Sequence, residues 1–211
     1  ILRDRDRIKR LLAGPNPVQI VFAGKSHPKD DNGKRILQEI VRFTQEPGVR
    51  GKVVFLEDYD LEMARYLVQG VDIWLNTPRR PMEASGTSGM KAVINGALHC
   101  SVLDGWWAEA YHPDLGFSIG VGDMPDDHEL ADRREAEDLY ALLERDIVPM
   151  FYDRGADGLP EAWLKMVRES IAVLGPHFST ERMVREYTQR AYIPNGQRYL
   201  SLTADNGAEG R

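Results

Sequence analysis

The chain has 211 residues, 42% of them apolar and 28% charged, enough for one large domain with a real core or two small ones. Its net charge of −6 comes from interleaved acids and bases, which excludes the basic footprint of nucleic-acid or anionic-membrane binding. No apolar run approaches a membrane span, and the single cysteine, Cys100, can close no internal disulfide, the usage expected in a reducing cytoplasm.

The sequence opens on Ile1-Leu2-Arg3-Asp4, with neither an initiating methionine nor a signal peptide, so the chain is expected to be a piece of something longer. Asp6 to Ala13 reads as a short helix with Ile8, Leu11 and Leu12 on one side, stopped by Gly14-Pro15. The period then changes. Val18 to Ala23 is a short apolar run rich in β-branched residues, which predicts a buried strand closing at Gly24. A helix is predicted over Gly33 to Gln45, a second strand over Lys52 to Glu57, a helix over Leu61 to Gln69 and a third strand over Val71 to Asn76. Next come a loop of small residues, a helix from about Ser88 to Ala97 and a fourth strand over His99 to Leu103. Strands and helices alternating in short units, with near-continuous apolar strands, predict a doubly wound, Rossmann-like parallel sheet covered by helices on both faces. In such a fold the loops after the strands, Gly24 to Pro28, Glu57 to Asp60 and Asn76 to Gly89, are expected to line one crevice.

Beyond Tyr111 the pattern turns helical, with helices expected over Glu135 to Val148 and Pro160 to Leu174. A last helix is expected to begin near the hydroxyl cap of Ser179. Residues 1–200 are read as one incomplete Rossmann-like domain and 201–211 as a disordered tail.

The stretch "EASGTSGMK", Glu83 to Lys91, carries the chemistry. Its small residues between a strand and a helix allow a backbone to approach a ligand and aim N–H groups at an anion, or they merely form a tight turn. Lys91 is a point charge for phosphate, an amine able to condense with an aldehyde cofactor, or a solvated surface lysine. The loop Gly24 to Pro28 ends like a phosphate-binding loop, but Gln19 stands where that motif requires glycine. Tyr59 either meets a ligand ring or half-fills the core. Trp106 and Trp107, with Asp104 and Glu109, form a sugar-stacking wall or fill the gap between sheet and later helices. The five histidines show no metal-ligand spacing, so no metal site is expected.

In combination, "EASGTSGMK", "NGAL" and "LDGWWAEAY" resemble the cofactor segment of the α-glucan phosphorylases, in their shorter bacterial and archaeal branch. "AGKSHP", "VVFLEDYD" and "AWLKMVRESIAVLGPHFSTERMVREY" resemble further family segments, so the likeness covers roughly residues 20 to 193. The resemblance implies a GT-B fold, of which this chain would be most of the second Rossmann-like domain. It also implies phosphorolysis of α-1,4-glucan ends (glycogen, maltodextrin) by inorganic phosphate, giving α-glucose 1-phosphate with retained configuration. By the same resemblance Lys91 matches the lysine that holds pyridoxal 5′-phosphate as a Schiff base, and Glu83 the acid that binds hydroxyls of the terminal glucose. Ser85, Gly86, Thr87 and Ser88 match the loop around sugar, phosphate and cofactor, and Tyr59 a tyrosine near the cofactor. Lys91, Glu83 and Thr87 are thus the expected catalytic set.

Ser88-Gly89 stands where longer members of the family have glycine and asparagine. The family's basic phosphate-gripping segment and its N-terminal domain would precede Ile1, so the piece alone is expected to be inactive. Nucleotide-sugar transferases of the same fold carry an acid where this chain has Lys91, which makes an α-glucosyltransferase the second expectation and a non-enzymatic glucan-binding module the third. A homo-oligomer is left open.

Overall fold

The computed structural model describes residues 1–122, 125 and 127–204. α1 (Arg5–Ala13), β1 (Ile20–Ala23), α2 (Asp31–Thr44), β2 (Val53–Leu56), α3 (Leu61–Gly70), β3 (Ile73–Asn76), α4 (Thr87–Ile94) and β4 (Leu98–Val102) alternate in the expected order. Their bounds differ from expectation by one to three residues, and the helix starts have a common cause. Asp4, Asp30 and Asp60 accept hydrogen bonds from the backbone N–H groups of Arg7, Gly33 and Met63, so α1, α2 and α3 each begin at an aspartate cap.

Two elements were not expected. α5 (Gly105–Ala110) is capped by Asp104, and β5 (Gly116–Ile119) is a fully buried strand in a region read as turning helical. β5 is only four residues long, and its register against β4, with Ser101 opposite Ser118, supplies the hydrogen bonds its short sequence does not advertise.

All strands described are parallel, but they form two ladders rather than one continuous sheet: β1 pairs with β2, and β3, β4 and β5 pair in that order. A groove of about 510 Å³, lined by Val21, Leu56, Met63, Tyr66 and Leu67, lies between the first ladder and α3. The strands of that ladder are accordingly half-buried, against the expectation of uniformly buried runs, whereas every residue of β4 and β5 is buried.

The later helices are longer than expected. α6 (His128–Leu142) starts seven residues before Glu135 because Asp127 caps it through the N–H groups of Glu129 and Leu130. It continues through a π-helical turn, Leu143–Ile147, into α7 (Val148–Tyr152). α8 (Glu161–His177) precedes α9 (Thr180–Tyr187), which passes through a second π turn, Thr188–Tyr192, into α10 (Ile193–Thr203). Each π turn stops just before a proline, Pro149 or Pro194, whose missing N–H and bulky ring disfavour an uninterrupted α-helical ladder. α10 also makes Ser201 to Thr203 helical, so the expected tail is too long at its start. The rest of that tail beyond Ala204 lies outside the described residues.

β4 organises the core through its alternation of faces. Leu98, Cys100 and Val102 point into a cluster with Phe117, Ile119, Leu139 and Trp163, the face covered by α6 and α8. His99 points to the opposite face, where it meets α4 and α5. This two-sided cover is the doubly wound arrangement, and it seats α4 on the His99 face of the sheet with its N-terminus joined to the loop that leaves the carboxyl end of β3. Among the described residues no helix is long and apolar enough to cross a membrane.

Candidate active site

The loop between β3 and α4 is held at several points. The Glu83 N–H donates to Asp104 Oδ2 at 2.9 Å, and the Gly105 N–H to Asp104 Oδ1 at 2.9 Å, so one carboxylate ties the loop to the cap of α5. The Trp106 N–H donates to Ser85 O at 2.8 Å. Asn76 Nδ2 donates to Glu83 Oε2 at 2.7 Å, and the Arg80 guanidinium donates to Gly120 O at 2.5 Å. The segment read from the sequence as a ligand-approach loop or a tight turn is therefore tied in place by its own main chain and by Asn76, Arg80 and Asp104.

Glycine is required where the loop enters α4. Gly86 is the N-cap, with φ 85° and ψ 46°, and a Cβ there would sit 2.6 Å from Glu83 Oε1. Gly89 serves a different purpose, since its bare Cα lets α4 lie on the His99 ring; a Cβ would fall 2.5 Å from His99 Cε1.

His99 was given no role by sequence reasoning beyond its lack of metal-ligand spacing. It is wholly buried between Trp106 and Trp107, at ring-centroid distances of 5.0 and 4.8 Å, and both ring nitrogens lack hydrogen-bond partners among the described residues. Burial drives its pKa from 6.5 down to about 3. The folded value lies below the unfolded one, so on acidification the unfolded chain takes up the proton first. Unfolding free energy should therefore fall between about pH 6.5 and 3, with a limiting slope of about 1.4 kcal/mol per pH unit from this group. Denaturant titrations across that window check it: His99→Leu should remove this slope, and an unchanged slope would contradict the assignment.

The tryptophan pair settles into the second of its two expected roles. Trp106 and Trp107 are buried with Val93, Leu115 and Leu174, and Trp107 Nε1 donates to Phe117 O at 3.1 Å. They fill the gap between sheet and later helices, packed against His99 of β4 on one side and Leu174 and Phe178 on the other, and Trp106 also borders the adjoining cavity.

Lys91 stands in the last turn of α4 rather than the first turns of a longer helix, because Asn95-Gly96 ends the helix early. Its side chain is exposed, Nζ lies 3.5 Å from Thr87 Oγ1, and it makes no ion pair among the described residues. Lys91, Thr87 and Ser85 border a cavity of about 940 Å³, whose walls are Met90, Trp106 and, across from them, Arg182, Glu186 and Arg190 of α9 and the following π turn. Glu186 holds Arg182 at 2.8 Å and Arg190 more loosely at 3.6 Å. Of the three loops expected to line one crevice, only the third reaches this cavity, because the opposite wall is built by the terminal helices; Asp60 of the second faces the smaller groove by α3 instead. Tyr59 is half-buried and has no hydrogen bond to the site among the described residues, and Ser88 is exposed on the first turn of α4. Sequence reasoning missed Asn76 and the capping role of Asp104; their position at the carboxyl ends of β3 and β4 marks them as near the site, but not which partner each one holds.

A parallel α/β fold whose glycine-dependent strand-to-helix loop presents an amine without an ion pair among the described residues, and two hydroxyls, to a cavity has the layout of a site for an anionic or carbonyl ligand. Residues 2–112 match the carbohydrate phosphorylase family, and the chain belongs to that family. It is 46% identical over 200 residues to a glycogen phosphorylase of Mycobacterium tuberculosis, covering 94% of this chain and 23% of that protein. A glycogen phosphorylase of Aquifex aeolicus is 44% identical over 193 residues, covering 91% of this chain and 28% of its own length. A maltodextrin phosphorylase of Thermococcus litoralis is 45% identical over 193 residues, covering 91% and 23% respectively. The chain thus spans about a quarter of the length of these relatives.

Proposed function

We propose that this chain is part of an α-1,4-glucan phosphorylase that uses pyridoxal 5′-phosphate on Lys91 to release α-glucose 1-phosphate from glycogen or maltodextrin ends with inorganic phosphate. The observation that carries the reading is the amine of Lys91, which has no carboxylate partner among the described residues, meets only Thr87 Oγ1 at 3.5 Å and opens on a cavity with the Ser85 and Thr87 hydroxyls, in a chain of this family.

The residues present fit the cofactor's chemistry. An aldehyde needs an accessible amine free of a carboxylate partner, its ring needs an apolar wall such as Met90 and Trp106, and its phosphate needs donors or cations. Lys91 would hold the cofactor covalently, with Gly86, Thr87 and Ser88 about it; for Tyr59 the family resemblance is the sole support. When bound, its 5′-phosphate supplies a proton-exchanging group beside the substrate phosphate, rather than the electron sink that is its commoner use.

The chain's own residues then act by position and charge. Glu83 accepts hydrogen bonds from hydroxyls of the terminal glucose, with Ser85 and Gly86 beside it. The Thr87 hydroxyl and the α4 backbone favour an anion at the loop. Holding glucan and phosphate together in fixed geometry lowers the entropic part of the barrier, and negative charge beside the anomeric carbon stabilises its developing positive charge. The wider reading includes a GT-B architecture, a partnering N-terminal domain and a cytoplasmic location. On this reading the 211-residue chain by itself forms no glucose 1-phosphate.

The test is made on the full-length protein supplied with pyridoxal phosphate, maltodextrin and phosphate. Phosphate-dependent formation of glucose 1-phosphate is expected. Glucosyl transfer from a nucleoside diphosphate glucose without phosphorolysis, or glucan binding with no turnover of either kind, would overturn the reading.

A further inference from the structure

We propose that Asn76 is a positioning residue for Glu83, fixing one carboxylate oxygen so that the other is presented to sugar hydroxyls; this rests on the reading of Glu83 as the glucose-binding acid. Asn76 is the last residue of β3 and is paired in register with Ser101 of β4, so its side chain leaves the ladder at the point where the loop begins. Nδ2 donates to Glu83 Oε2 at 2.7 Å, in the range of a strong charge-assisted bond, while its other contact, Ser101 Oγ, is at 3.4 Å. Ser101 is itself committed, donating to Val102 O at 2.9 Å.

Among the described residues, Asn76 is the only side chain that donates to the Glu83 carboxylate, and no cation pairs with it. Arg79 and Arg80, on the same loop, are turned to Asp132 and to Gly120 and Glu135. Asp104 accepts from the Glu83 main-chain N–H rather than meeting its carboxylate through a donor. On the far side of the carboxylate lies Gly86, where a Cβ would be 2.6 Å from Oε1. Oε2 is therefore anchored and Oε1 has no protein donor among the described residues. A neutral amide suits this role, because a cation in its place would compete with hydroxyl donors for the carboxylate and an acid would repel it. The anchored rotamer is what a group held in reacting geometry needs from its support.

The proposal is tested by Asn76→Asp in the full-length protein loaded with pyridoxal phosphate. This isosteric change keeps the packing but replaces the donor with a second carboxylate beside the first, and two carboxylates at that spacing share one proton. At neutral pH kcat/KM for glucan phosphorolysis should fall about ten- to hundredfold. Part of the loss should return as the pH is lowered and the shared proton restores a donor. Cofactor attachment at Lys91 should stay unchanged, and the Tm should fall at neutral pH and recover as the pH is lowered, because the shared proton raises the folded-state pKa of the pair. If N76D does not fold, N76Q and N76A carry the test, with the amide-bearing N76Q expected to retain more activity than N76A. Wild-type kcat/KM and pH profile in N76D, or equal activity in N76Q and N76A, would overturn the assignment of Asn76 while leaving the proposed function standing. Absence of phosphorolysis in the unmutated protein would overturn both.

Discussion

Replacing Lys91 with arginine in the full-length protein is expected to abolish cofactor attachment and to lower phosphorolysis by about 10³-fold or more, beyond the ~10²–10³ typical of removing a single stabilising donor. Arginine keeps a positive charge in nearly the same place but has no amine that condenses with an aldehyde. The two roles of the side chain are thereby separated. If Lys91 acts only as a point charge for phosphate, K91R keeps most of the activity, and the covalent role is wrong. Stability of the cofactor-free protein should change by no more than about 0.5 kcal/mol, since the side chain is exposed and its approach to Thr87 is long, whereas wild-type protein alone should gain stability on loading with the cofactor. Activity with glucan and phosphate, together with the absorbance of the bound cofactor, measures both effects.

Gly105→Ala should be the most disruptive single methyl near the site. Gly105 has φ +52°, and a Cβ there would lie 2.6 Å from Ser85 O and 3.2 Å from Glu83 Cγ. The first obstacle is backbone and cannot swing aside, because the Trp106 N–H holds that same carbonyl at 2.8 Å. Left-handed strain of about 1–2 kcal/mol and overpacking of about 1–3 kcal/mol, less a few tenths to 1 kcal/mol from the stiffer unfolded chain, give a net loss of about 1–5 kcal/mol. Chemical denaturation should show this as a lower midpoint with little change in slope. Relief of the clash requires moving Ser85 and Glu83, so residual glucan affinity should fall as well. A loss under about 0.5 kcal/mol would mean that the loop is not held as described.

The first three strands were legible because each is a short run of β-branched, aromatic and aliphatic residues, and the fourth because its apolar Leu98, Cys100 and Val102 follow Asn95-Gly96 in the alternating pattern of strands and helices. β5 was not legible, because Gly116 to Ile119 is too short to signal alone and exists through its ladder with β4. Pro149 and Pro194 were visible, yet their consequence, a helix that widens into a π turn rather than stopping, depends on packing that no local pattern carries. At the site, the glycine-rich loop and Lys91 could be found from residue types and spacing. Asn76, Asp104 and His99 could not, since each matters through a partner brought to it by the β3–β4 register or by the seating of α4 and α5 on the sheet. The tryptophan pair shows the same limit. Two adjacent indoles suit a sugar platform or a core equally well, and only the cover provided by Leu174 and Phe178 decides for the core.

The most direct measurement is borohydride reduction of the full-length protein loaded with pyridoxal phosphate, followed by peptide mass mapping. A phosphopyridoxyl mass on the peptide that contains Lys91 is the expected result. Folded protein in which Lys91 stays unmodified, or in which another lysine carries the label, would contradict the central claim that this helix holds the cofactor.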